Sequence, residues 1–105
     1  MEAMARPQKL SDEDVTAALA ALSGWERSGD EIVKTYERAS FAAAIAFVVR
    51  IGFLAEAADH HPDLDIRWRK VRVALTTHDA GGLTQLDVDL AAQITQAFAR
   101  FELAT

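Results

Sequence analysis

The 105-residue chain has no cysteine. That excludes disulfides, a thiolate nucleophile and any cysteine-ligated zinc, and it fits a reducing cytoplasm. Prolines number two and glycines five, and there is no linker, repeat or low-complexity tract. Long apolar runs are missing too. The longest, FAAAIAFVV at residues 41–49, ends at Arg50, well short of the roughly 20 residues a membrane span needs. The opening MEAMARPQKL has no continuous apolar core, so no signal peptide is expected. Positive charge is scarce: 11 Lys and Arg stand against 16 Asp and Glu, a net charge of -5. A general nucleic-acid binder needs the opposite balance. With half its residues hydrophobic, the chain is expected to be one soluble, cytoplasmic domain over residues 11–105, preceded by a flexible tail over residues 1–10.

Ser11 can cap a first helix, with Asp12, Glu13 and Asp14 in its first turn, where negative charge suits the helix dipole. Val15, Ala18, Leu19 and Leu22 keep helical spacing, and Gly24 is expected to end the helix. Residues 25–38 read as two short strands around a Ser28-Gly29-Asp30 turn. Ile32 and Val33 are adjacent, so alternation does not say which of them is buried. A second helix over residues 40–58 is apolar nearly all round. One sheet covers one side of a helix, so the surplus points to a subunit interface, with exposed alanines as the plainer alternative. Strands at 65–68 and 71–76 are expected to form a hairpin around Arg69-Lys70. A last helix over residues 84–103 places Ala91, Ile94, Phe98 and Phe101 on one face. The order αββαββα, with strands in hairpin pairs, indicates an α+β fold with an antiparallel sheet covered on one face.

Two of the three histidines, His60 and His61, are adjacent and precede Pro62. Proline ends the second helix and makes His61 extended, so the two imidazoles diverge. Glu56 stands at i,i+4 to His60 and is placed to orient it. His78 follows the last strand, and the sheet can bring it beside the helix end. Glu56, Asp59, Asp79 and Asp87 are then candidate neighbours. Such a cluster suits proton transfer in both directions, because imidazole titrates near neutral pH. For an arbitrary His-His pair a polar helix end without a task is the commoner meaning. Zinc is disfavoured, because diverging neighbours do not reach one ion. Thr84-x-x-Asp87 also reads as a near capping box. RWRKVR, residues 67–72, is either an anion- or nucleic-acid-binding patch with a stacking Trp68, or a solvated hairpin face whose Trp68 covers apolar surface; the acidic total charge favours the latter.

Glu56, three residues, His60-His61-Pro62, five residues, Trp68, nine residues, His78 and then Asp87 resembles the signature of the pterin-4a-carbinolamine dehydratases. Gly24-Trp25, THDAGGLT at 77–84 and DVDLA at 87–91 are similar to that family as well. The resemblance implies a four-stranded antiparallel sheet with three helices packed on one face, and a homodimer or homotetramer. It implies a hydro-lyase that removes water from 4a-hydroxytetrahydropterin to give quinonoid dihydropterin in tetrahydrobiopterin recycling, with neither metal nor redox cofactor. His60, His61 and His78 match the catalytic histidines, with His60 and His78 as main proton-transfer groups and His61 polarising the ring. Asp59, Pro62, Thr76, Thr77 and Asp79 match substrate-binding positions, and Glu56 and Asp87 match acidic positions that orient imidazoles or ring nitrogens. Leu64-Asp65, Ala80 and Leu86 depart from the usual aromatic pair, cysteine and basic residue. The resemblance also implies an alternative: a non-catalytic assembly protein or dimerisation cofactor on the same fold.

Overall fold

The structure, a computed structural model, describes residues 7–104, with side chains through residue 100. The expected inner position of Phe101 and the first six residues of the expected tail lie outside the described residues. Three helices and four strands follow in the order α1 (Asp12–Ala20), β1 (Glu26–Ser28), β2 (Glu31–Glu37), α2 (Phe41–Ala58), β3 (Asp63–Arg67), β4 (Lys70–Leu75) and α3 (Gln85–Ala104), with a short 3-10 turn, His78–Ala80, before α3. This is the α+β order expected from the sequence.

Ser11 caps α1 by accepting from Asp14 N at 3.0 Å. The helix stops at Ala20, before Gly24, and a turn through Ala21 and Leu22 leads to Gly24 at φ +85°. Gly29, at φ +63°, supplies the left-handed step of the β1–β2 turn, which most side chains resist. The sheet is antiparallel throughout, in the order β1-β2-β4-β3. Register decides what the alternation of β2 left open: Ile32 and Tyr36 are buried, while Val33 points to the other face. Val71, Val73 and Leu75 of β4 are fully buried beside them.

The β3–β4 hairpin turns one residue earlier than expected. Arg67 pairs with Lys70, so the loop is Trp68-Arg69, and Trp68 takes a left-handed φ of 54°. Trp68 is 68% exposed and stacks on the Arg69 guanidinium, 4.4 Å from the ring centre. It therefore covers a cation instead of apolar surface.

One core joins the sheet to Val15 of α1, to Ala44, Phe47, Ile51 and Ala55 of α2, and to Leu90, Ala91 and Ile94 of α3. At one end of it Tyr36 meets Trp25, Phe47 and Phe98 with ring centres 4.6–6.3 Å apart. Trp25 Nε1 donates to Thr95 Oγ1 at 3.0 Å, which satisfies the indole inside the core. By length and mean hydropathy (1.9 over 18 residues) α2 is of the kind that crosses membranes. It instead packs one face on the sheet and carries Arg50 near its middle. Its other face leaves Phe41, Ile45, Val49 and Phe53 exposed at four-residue steps.

Candidate active site

The end of α2, the end of β4 and the start of α3 meet at one corner. α2 ends at Asp59, which takes a left-handed conformation, φ 50° and ψ 43°. Aspartate tolerates this region better than most residues. Asp59 N donates to Glu56 O at 3.2 Å and His60 N donates to Ala55 O at 3.1 Å. This pair of bonds closes the helix in the Schellman manner. The reversal sends the two imidazoles apart, as the proline predicts. His60 goes inward, and His61 stays out with its side chain 58% exposed.

The sequence expectation that Glu56 orients His60 is corrected here. Glu56 Oε1 lies 3.1 Å from His61 Nε2. The left-handed Asp59 breaks the i,i+4 geometry, so His60 no longer stands above Glu56. The buried partner of His60 comes from across the chain. His60 Nε2 lies 2.6 Å from Asp87 Oδ1, and both side chains are buried.

Asp87 is held from three sides. Its Oδ2 accepts from Thr77 Oγ1 at 2.8 Å and from Thr84 N at 2.9 Å. Thr84 Oγ1 in turn accepts from Leu86 N at 3.2 Å, so Thr84 and Asp87 cap α3 reciprocally. Because the Thr77 proton goes to Asp87, Thr84 Oγ1 donates the bond of 2.8 Å that joins the two threonines. A carboxylate only accepts, so the hydrogen of this bond is carried by His60 Nε2, and Nδ1 is the ring nitrogen left for other partners.

A cleft of about 320 Å³ opens at this corner. Asp59, His60, His61, Thr76, Thr77, His78 and Asp79 all line it. Seven of the sequence-predicted residues thus share one wall system although they come from separate elements. Glu56 and Asp87 stand behind the histidines they touch, and Pro62 lies outside the lining. Thr76 Oγ1 donates to Asp30 O at 2.5 Å, which ties the cleft to the β1–β2 turn. His78 opens the 3-10 turn and is exposed. Sequence reasoning missed Pro7 and, as a wall residue, Leu86. Pro7 arrives because Leu10 N donates to Leu83 O at 2.8 Å, which lays the N-terminal segment beside the 77–84 loop; no local pattern announces that contact. Leu86 sits one residue before Asp87, so its place follows from the cap. Among the described residues no three His, Asp or Glu side chains are arranged to hold a metal ion.

Three donors converge on one buried carboxylate, and the exposed imidazole of His78 lines the same cleft. The family model described as pterin 4 alpha carbinolamine dehydratase matches residues 8–97. A relative from Roseiflexus sp. (strain RS-1), provisionally named pterin-4-alpha-carbinolamine dehydratase, is 62% identical over 88 residues, which is 84% of this chain and 95% of that protein. A crystal structure described as a transcriptional coactivator/pterin dehydratase from Brucella melitensis superposes with a TM-score of 0.82 at 30% identity, over 85% of this chain and 97% of that one. A pterin dehydratase-like protein described as a RuBisCO assembly factor in the alpha-carboxysome shares the fold, with a TM-score of 0.55 at 20% identity over 67% of this chain and 81% of that one.

Proposed function

This chain belongs to the pterin 4 alpha carbinolamine dehydratase family, and from that membership we propose that it removes water from a 4a-hydroxytetrahydropterin to give quinonoid dihydropterin, with histidines moving the protons. One observation carries the reading: His60, His61 and His78 line a single cleft, and Asp87 fixes the tautomer of His60. Hydroxide is a poor leaving group, so an acid must protonate the 4a-hydroxyl as the C–O bond breaks. A base must take a proton from the ring nitrogen as the C=N bond forms. His60 Nδ1, with its partner nitrogen pinned to Asp87, suits the base. Exposed His78 suits the acid, because it exchanges protons readily with water. His61, steadied by Glu56, polarises the ring, and Asp59, Thr76, Thr77 and Asp79 line the cleft as acceptors for its N–H groups. Water loss leaves the oxidation level unchanged, so the step asks for no redox partner.

In a cytoplasm that contains an aromatic amino acid hydroxylase, this reaction returns spent tetrahydrobiopterin towards its reusable form. The test is stopped-flow decay of enzymatically generated 4a-hydroxytetrahydropterin. The expected result is a large acceleration by the wild type that His60→Ala and His78→Ala each lose. A folded wild type that leaves the spontaneous rate unchanged would refute the proposal.

The exposed apolar row on α2 supports self-association as a homodimer or homotetramer through that face. Sedimentation of the wild type as an oligomer and of Phe53→Asp as a monomer is expected. The same row favours a second reading, in which the domain serves as an assembly protein or dimerisation cofactor. Under that reading a protein partner is retained by the His60→Ala, His78→Ala double variant and lost by Phe53→Asp.

A further inference from the structure

The geometry points to an apolar wall in the active-site cleft, made by Pro7 and Leu86, on which a face of the flat pterin ring rests while the histidines meet its polar groups. This inference rests on the dehydratase reading and adds two binding residues to it. Among the described residues that line the cleft, seven are histidine, threonine or aspartate, and Pro7 and Leu86 are the two apolar ones. A bicyclic heterocycle presents hydrogen-bonding groups at its edge and apolar surface on its faces. Sites for such ligands set a few polar groups in an apolar lining, and these two side chains supply that lining here.

Both wall residues are held by the fold. Close to Pro7, Leu10 packs against the core and its N–H donates to Leu83 O at 2.8 Å. Between them the Lys9 stem lies over Gly82, where a β-carbon would come within 2.8 Å of Lys9 Cε. The segment before α1 is thus laid down along the 77–84 loop, and Pro7 is brought to the cleft. Pro7 has a closed ring and a fixed φ, so ordering it against a ligand costs little entropy. Leu86 stands in the first turn of α3, where its N–H donates to Thr84 Oγ1 at 3.2 Å. It lines the cleft and stays 36% exposed, which leaves apolar area for a bound ring to cover.

The test measures binding of a stable 7,8-dihydropterin, which keeps the ring but lacks the 4a-hydroxyl, beside kcat and KM for 4a-hydroxytetrahydropterin. Pro7→Gly and Leu86→Gln should each weaken dihydropterin binding and raise KM about three- to tenfold, the worth of roughly 30–60 Å² of apolar contact. The value of kcat should stay within about twofold, and its pH profile should keep its shape, because all three histidines remain. Pro7→Leu restores apolar surface without the fixed backbone of proline, so it should bind within about twofold of the wild type. Equal weakening in Pro7→Leu and Pro7→Gly overturns the wall, because backbone stiffness and not apolar contact would then set affinity. A loss in kcat with KM unchanged overturns it too. A wild type that accelerates carbinolamine decay, with Pro7→Gly and Leu86→Gln binding as tightly as it does, overturns the wall alone. A folded wild type that neither binds the dihydropterin nor accelerates the decay overturns the dehydratase reading, and the wall falls with it.

Discussion

His60 and His61 are chain neighbours, yet they occupy opposite regions of one corner. The first faces a buried carboxylate with side-chain exposures of 9% and 0%; the second faces a surface carboxylate with exposures of 58% and 81%. Both pairs are imidazole and carboxylate within hydrogen-bond reach. In the buried pair the partner is locked by two further donors, and water cannot compete. At the surface, solvent screens the pair and the side chains pay entropy to stay together. The lesson is that the same two functional groups give a fixed tautomer in one place and a loose steering contact in the other.

The comparison can be broken hardest at its buried side. His60→Ala is expected to slow carbinolamine dehydration by about 100- to 10,000-fold, the usual worth of a positioned acid or base. His78→Ala should act on the same scale, whereas Glu56→Gln should change the rate less than about tenfold. Stopped-flow rates on the three variants check this order, and equal losses at Glu56 and His60 would erase the distinction between the two regions.

Asp87→Ala tests the structural half. It leaves Thr84 N, Thr77 Oγ1 and His60 Nε2 without their acceptor and removes half of the α3 cap, so urea unfolding should show a loss of about 2–4 kcal/mol. Glu56→Ala, by contrast, should cost less than about 1 kcal/mol in the same experiment. A smaller loss at Asp87 than at Glu56 would contradict the burial argument.

The smallest expected effect lies away from the site. Burial of Tyr36 raises its pKa above the ordinary value near 10, desolvation of the phenolate being the main cause. The folded state thus keeps this proton longer than the unfolded chain. The contribution is complete below about pH 10 and is lost as pH rises through the folded value. Urea midpoints should therefore fall as pH rises above about 10 in the wild type, and fall less steeply in Tyr36→Phe.

Much of the candidate site is legible in the sequence. The His60-His61-Pro62 end of α2, the His78 position after β4 and the Thr84-x-x-Asp87 cap are all written in short-range chemistry: proline as helix stop, strand alternation, a capping pair. The misreadings have a common source. Ideal helical spacing points Glu56 at His60, and the left-handed Asp59 breaks that spacing one residue too early. Local pattern puts the β3–β4 turn one residue late, because the register of β3 against β4 sets the loop and the residues give no glycine to mark it. Pro7 entered the cleft through a backbone bond to Leu83, 73 positions from Leu10, and local patterns carry no information about such a contact.

The sequence by itself determined the elements, their order and the residue types available for proton transfer, because capping, periodicity and proline act over a few residues. Only the tertiary structure decided which carboxylate serves which imidazole, and that residues distant in the chain line one cleft. Those outcomes depend on side chains from α2, β4, the β1–β2 turn and α3 meeting in space. Burial then sets their strength: water is excluded from the bonds around Asp87 and competes for the exposed His61–Glu56 contact.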